Sequence, residues 1–186
     1  MTTLVIECSS AQGSLAFCSG ESVIKEVAFE NPRGRGSAFF AALAEILPGG
    51  APLGRVLVGV GPGGYNSLRV ALASAWGIAR ARGARLEGIS SMLAFPKPDY
   101  DVIGDARANQ MFHAVVRNDR LIGEVALRSA PEIAVATTGA PLIVHATGAE
   151  STLHPPSAAV LFSRRDQLLA PVPVYLKPPH ITKPVP

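Results

Sequence analysis

The sequence predicts an α/β fold built as one or two compact lobes, and three observations predict it. The chain opens with three short β-rich runs parted by turn residues, a fourth strand enters a glycine-rich loop and leaves it into a helix, and strands resume beyond a proline-rich break. With 186 residues the chain suffices for one large domain or two small lobes, since cores of about 100 to 150 residues are the usual unit. The prolines of Phe95-Pro96-Lys97-Pro98-Asp99 set the expected boundary, giving a first lobe over 1–95 and a shorter second one over 96–186.

In order, Thr3 to Cys8, Ser14 to Ser19 and Ser22 to Phe29 read as three antiparallel strands separated by Gly13 and Ser19-Gly20-Glu21. Asn31 to Gly36 breaks that pattern. Ser37 then stands where an N-cap should, ahead of a helix from Ala38 to Leu47 that Pro48-Gly49-Gly50 stops. In it Phe39, Leu43, Ile46 and Leu47 share a face, while Phe40 and several alanines extend the apolar surface around the cylinder. Arg55 to Val60 is a central strand, followed by Gly61-Pro62-Gly63-Gly64 and a helix from Ser67 to Arg82 with Gly83 as its stop. Its apolar positions are Leu68, Leu72, Ala75 and Ala79. Further strands are expected at Leu86 to Ile89, Val102 to Asp105, Met111 to Arg117, Ile122 to Arg128, Pro141 to His145 and Ala158 to Phe162, before an extended, proline-rich tail from Pro171 to Pro186.

Composition narrows the class. No run of about 18 apolar residues is present, so a spanning helix is not expected. The N-terminus lacks a basic segment leading into an apolar stretch, so no export signal is read. Cys8 and Cys18 are the only cysteines and both fall in apolar strands, where a thiol serves as a small buried hydrophobe; a reducing, cytoplasmic setting is expected. The net charge of +3 is mild, Arg80, Arg82 and Arg85 form a solvated face, and no aromatic-plus-basic RNA module appears.

The loop at Gly61 to Gly64 can be a tight packing turn or an anion cradle, because bare N–H groups at a helix N-terminus hold anions. It is not a Walker loop, and the G-x-G-x-x-G spacing is absent. Glu7 and Asp105 each end an apolar strand. Two carboxylates meeting across a cleft would suit acid–base or metal work, while the plainer alternative has Glu7 bonding its own turn and Asp105 pairing with Arg107 or another arginine. His113, His145, His154 and His180 are scattered, with no pair four apart to ligate a metal, and are expected to be structural or solvent-facing. Ser9, Ser10, Ser90 and Ser91 lack the G-x-S-x-G elbow of a serine nucleophile.

The string Val58-Gly59-Val60-Gly61-Pro62-Gly63-Gly64-Tyr65-Asn66-Ser67-Leu68-Arg69-Val70 resembles the G-x-G-P-G-S-[FY]-T-G-L-R-[IV]-G signature of the TsaB (YeaZ) family, glycoprotease-like members of the actin/Hsp70-like superfamily. Leu4 to Ser10 resembles that family's first strand with its Asp-Thr-Ser ending, Leu86 to Met92 its Val-Gly-Val-Ser-Ser-Leu, Asp105-Ala106-Arg107 its Asp-Ala-Arg, and Pro173 to Lys177 its terminal Pro-x-Tyr-Leu-Arg. Glu7 stands in place of the Asp, and Gly64, Asn66 and Ser67 in place of Ser, Thr and Gly.

The resemblance implies two ribonuclease H-like lobes, the second abbreviated, and a non-catalytic cytoplasmic subunit without metal or cofactor. Such a subunit would support TsaD as it transfers a threonylcarbamoyl group onto tRNA adenosine, meeting tRNA only indirectly. It implies TsaD, and further TsaE, as partners, with a homodimer when alone. The implied interface is Phe40, Leu43, Leu47, Leu68, Leu72, Ala75 and Trp76. Beside it lie the loop residues Gly61, Pro62, Gly63, Gly64 and Arg69, and a vestigial nucleotide site at Glu7, Ser9 and Asp105. Two alternatives stay open: an ATP-binding enzyme of the same fold, kinase-like or peptidase-like, using Glu7, Asp105 and Gly61 to Gly64, and a drifted homodimer with its own role.

Overall fold

The computed structural model describes residues 1–31, 36–47, 49–50, 52–106, 109–136, 139–145 and 155–177. The three opening runs form β1 (Thr2–Glu7), β2 (Gln12–Ser19) and β3 (Ser22–Glu30), an antiparallel meander. Helix α1 (Ser37–Ile46) leads to β4 (Arg55–Gly59), α2 (Tyr65–Arg82) and β5 (Arg85–Ile89), with β1, β4 and β5 mutually parallel. Parallel neighbours need a long crossover, and α2 supplies it between β4 and β5. A second sheet holds β6 (Tyr100–Asp105), β7 (Met111–Arg117), β8 (Arg120–Arg128) and, after α3 (Ala130–Ala136), β9 (Leu142–His145). The β7–β8 turn is made by Asn118 and Asp119, both at positive φ (50° and 63°), the backbone a two-residue hairpin demands.

With β10 (Leu168–Leu169) at its edge beside β5, the first sheet runs β10-β5-β4-β1-β2-β3 and the second β8-β7-β6-β9. β1 and β4 read as nearly unbroken apolar runs because both faces of the first sheet are covered. On one face Leu4, Ile6, Val56 and Val58 meet Phe39, Ala42 and Ile46 of α1 and Ala71, Ala75 and Ala79 of α2. On the other, Val5, Leu57 and Ile89 share a core with Phe95, Tyr100, Val102 and Phe112 of the second sheet's side. The two sheets therefore close over common apolar contents. Cys8 and Cys18 are buried, free thiols within these cores.

Three expectations needed correction. Ala158 to Phe162 is not a strand but helix α4 (Ala158–Ser163); Ser157 caps it by accepting from Val160 N–H, and its first turn is held to β2 and β3 through Ser14 and Glu26. A short apolar run cannot by itself tell a buried helix from a strand. Ser37 is the first helical residue of α1, not its cap; Gly36 takes that place, without a side-chain cap bond. The tail from Pro171 is not all free: Val174 N–H donates to Val60 O at 2.8 Å, and Leu176 packs on the shared core. The remainder of the expected tail, 178–186, lies outside the described residues. The proline boundary at 95/96 marks the passage between sheets, but the chain afterwards returns to the first sheet through α4 and β10.

Arg164, at the end of α4, holds this passage. Its guanidinium is buried and donates to Leu93 O, Phe95 O, Lys97 O and the Tyr100 hydroxyl, and pairs with Asp119.

Candidate functional site

Parallel strands place their chemistry at their carboxyl ends, and here the ends of β1, β4, β5 and β9 converge. Glu7 closes β1 fully buried. Its Oε1 accepts from Ser9 N–H at 2.6 Å, while Oε2 has no hydrogen-bond partner. Burial pushes the Glu7 carboxyl above the ordinary carboxylate range, with Ser9 and then Ser91 offsetting part of that rise. Room for so long a side chain comes from Gly59, where a Cβ would stand 2.0 Å from Glu7 Oε2.

Ser9 Oγ lies 2.8 Å from His145 Nε2, both groups buried, so the ends of β1 and β9 are clasped across the two sheets. Desolvation lowers the His145 pKa to about 4, which keeps the ring neutral at neutral pH; its Nδ1 has no partner. Serine and histidine at this distance have the composition of a nucleophilic pair. Burial of both denies a substrate access, and the pair acts as a clasp.

The glycine-rich loop packs directly on this clasp. Gly64 N–H donates to Ser9 O at 2.8 Å and Gly61 N–H to Ser91 Oγ at 3.0 Å. A Cβ on Gly63 would fall 2.3 Å from Ser9 O, and Gly61 has φ of +95°. Two of the loop's amides are thus already bonded within the chain, as a packing turn requires and an open anion cradle does not. Pro62 is buried beside them. Beyond the loop, Tyr65 opens α2 with its ring 5.1 Å from that of Tyr175, and the Arg69 guanidinium sits 5.2 Å over Tyr65. Lys177 donates to Ala106 O at 2.8 Å, so the segment carrying Tyr175 spans from the loop to the end of β6.

Of the expected nucleotide-site residues, Glu7 and Ser9 meet, whereas Asp105 is exposed at the end of β6. Arg107, its expected partner, lies outside the described residues, as do His154 and His180. Among the described residues, no three His, Cys, Asp or Glu side chains are grouped to hold a metal ion. His113 is buried with Nε2 3.8 Å from Asp101 Oδ2. Sequence reasoning missed His145, Ser91, Gly59 and Tyr175 as members of this region. His145 ended an expected strand, and Gly59, Ser91 and Tyr175 lie in the motifs quoted above, but nothing local along the chain joined them to Glu7 and Ser9.

The expected interface splits in two. Leu68 and Ala75 point into the chain's own core, where no partner can reach them. Leu43, Leu47 and Leu72 are half-buried against that core. Phe40 and Trp76 are 53% and 64% exposed, unusual for rings of that size. On α2, Tyr65, Arg69, Trp76 and Arg80 follow one another at spacings of four, seven and four and form one exposed stripe.

The fold and the site define the class: an α/β protein of two mixed sheets with packed helices, its strand ends closed by a buried clasp and its first sheet covered by helices carrying exposed aromatics. Solved structures give the particular form. The chain superposes on YeaZ from Pseudomonas aeruginosa with a TM-score of 0.75 and 18% identity, over 94% of this chain and 99% of that one. An uncharacterised protein with similarity to peptidase YeaZ from Pseudomonas aeruginosa gives 0.72 and 18%, over 95% and 99%. This chain therefore has the YeaZ (TsaB) fold along nearly its whole length. No protein-family model and no curated protein matches the sequence. Among the described residues, no helix is long and apolar enough to cross a membrane.

Proposed function

We propose that this chain is a non-catalytic subunit that docks on TsaD through α1 and α2 and supports threonylcarbamoyl transfer to tRNA adenosine. The observation that carries this reading is the exposure of Phe40 and Trp76 on the two helices that cover the first sheet. Large rings left in water by a monomer are the usual anchors of a protein interface. With Leu43, Leu47 and Leu72 half-buried alongside, they supply an apolar centre for an interface of about 1,600 Å² in total. The inward-facing Glu7, the buried Ser9–His145 clasp and the bonded loop amides support a scaffold over a catalyst, since none leaves a reactive group open to substrate. TsaE is the further partner in this reading.

The test is co-purification and calorimetric titration with TsaD. Trp76→Arg should abolish the complex without unfolding the chain, because Trp76 contributes little to the core. An unchanged affinity would remove the reading. ATP titrated alone into the chain provides the contrast: micromolar binding lost on Gly63→Val would favour the ATP-binding enzyme instead.

A further inference from the structure

Strand β3 is the outer strand of the first sheet and, among the described residues, pairs with β2 alone. The bond from Asn31 N–H to Ala11 O fixes the phase of that ladder. Facing pairs of an antiparallel ladder alternate between bonded and unbonded. Phe29 and Val27 therefore turn their backbone groups toward β2, while Glu30, Ala28 and Glu26 turn theirs outward. The other sheet edges are guarded: β10 is two residues long and runs into Pro171 and Pro173, β9 has four residues, and β8 is interrupted by a register shift and by Gly123 at φ of +69°. From Lys25 to Glu30, β3 carries neither proline nor register shift. Beside this open stretch runs a groove of about 270 Å³ lined by Gln12, Gly13, Ala28, Phe29, Glu30 and Pro155. Its one charged member, Glu30, is exposed and has no ion pair among the described residues. Glu26, four residues back on the same face, accepts from the Ser14 and Ser157 hydroxyls. Lys25, on the opposite face, is held by Glu45 at 2.8 Å.

We infer that the open edge of β3 from Glu26 to Glu30 takes up an extended segment of a partner protein as an added strand, an apolar segment carrying Lys or Arg opposite the two glutamates. An added strand draws its affinity from main-chain bonds, here to the outward groups of Ala28 and Glu30, and its specificity from the side chains it sets against the receiving sheet. Glu26 and Glu30 are four residues apart on one face, so cations four apart on the incoming strand meet both, and charge-assisted pairs of this kind are the strong ones. On the other face the incoming side chains extend the apolar row of Val27 and Phe29, which already pack on the core beneath α1. This surface is separate from the α1–α2 docking face and stands or falls without it.

The probe is a capped, fluorescein-labelled peptide, Val-Lys-Val-Thr-Val-Lys-Val, set against its counterpart with glutamate at both lysine positions; each is titrated into the full chain by fluorescence anisotropy. The cationic peptide should bind at least about tenfold more tightly than the acidic one, and less tightly as salt is raised. On binding, the Ala28 and Glu30 amides should gain protection from hydrogen exchange. Glu30→Lys should reverse the preference between the peptides. Ala28→Pro removes an outward N–H that no bond within the chain uses, a change edge strands accept, so the variant should keep its melting midpoint and lose at least about tenfold in affinity. No binding of the cationic peptide at millimolar concentration, or binding that both variants leave unchanged, overturns the inference. Equal binding of the two peptides overturns the selection by charge. Self-association of the chain in sedimentation, lost in Ala28→Pro, assigns the edge to a second copy and overturns a foreign partner. Loss of TsaD affinity in Ala28→Pro assigns the edge to that complex and likewise overturns it, whereas failure of Trp76→Arg to affect TsaD removes only the docking role proposed above.

Discussion

Gly59→Ala gives the sharpest reading of the buried Glu7. A Cβ at position 59 would stand 2.0 Å from Glu7 Oε2, 2.7 Å from Ser91 Oγ and 3.0 Å from the Glu7 carboxyl carbon. Both neighbours are fully buried, so neither can swing into solvent. Overpacking of this kind costs about 1–3 kcal/mol. Displacing the carboxylate also strains its bond from Ser9 N–H, a charge-assisted contact worth about 1.5–3 kcal/mol. Alanine recovers about 0.5–1 kcal/mol over glycine in a strand, leaving a net loss of about 1.5–5.5 kcal/mol. Glu7→Asp withdraws the carboxylate by one methylene and alone should cost about 1 kcal/mol. Together the two changes should cost less than their sum by about 1–2 kcal/mol, because the shorter acid vacates the space the new methyl needs. Urea denaturation of the four proteins at constant slope measures this. Strict additivity would show that Gly59 does not make room for Glu7.

His145 has a folded pKa of about 4 against 6.5 unfolded, so between those values the unfolded chain binds more protons. Its contribution is present above pH 6.5 and is lost as pH falls toward 4, by about 3 kcal/mol in all; His145→Gln should flatten that limb of the denaturation midpoint against pH. Glu7 acts in the opposite sense. Its raised pKa makes the folded state bind more protons above the ordinary carboxylate range, so stability falls as pH rises there, and Glu7→Gln should gain on wild type in that direction. Arg164→Met should destabilise by about 3–5 kcal/mol, since it orphans the Leu93, Phe95 and Lys97 carbonyls that one buried guanidinium serves; a loss below about 1 kcal/mol would show the passage between sheets to be held by packing alone.

What the sequence determined by itself was whatever depends on neighbours along the chain. The three-strand meander follows from period-two apolar runs cut by Gly13 and Ser19-Gly20-Glu21; α2 follows from its glycine entry and its end at Gly83, which sits at φ of +63°. The same locality explains why the signature around Gly61 to Val70 could point to the fold without saying what the loop does. Gly64 N–H is bonded to Ser9, 55 residues away, and Gly61 N–H to Ser91, 30 residues away, partners that only the folding of other strands brings within reach. Tertiary structure alone decided that His145, one of four scattered histidines, meets Ser9, and that Glu7 points inward beside Gly59 while Asp105 faces water. It also decided which apolar residues of α2 stay exposed. Leu68 and Trp76 are both apolar residues of one helix, and only the sheet beneath α2 determines which of them is core and which is left in water. Helical periodicity fixes the faces of a cylinder; the rest of the molecule fixes which face is covered.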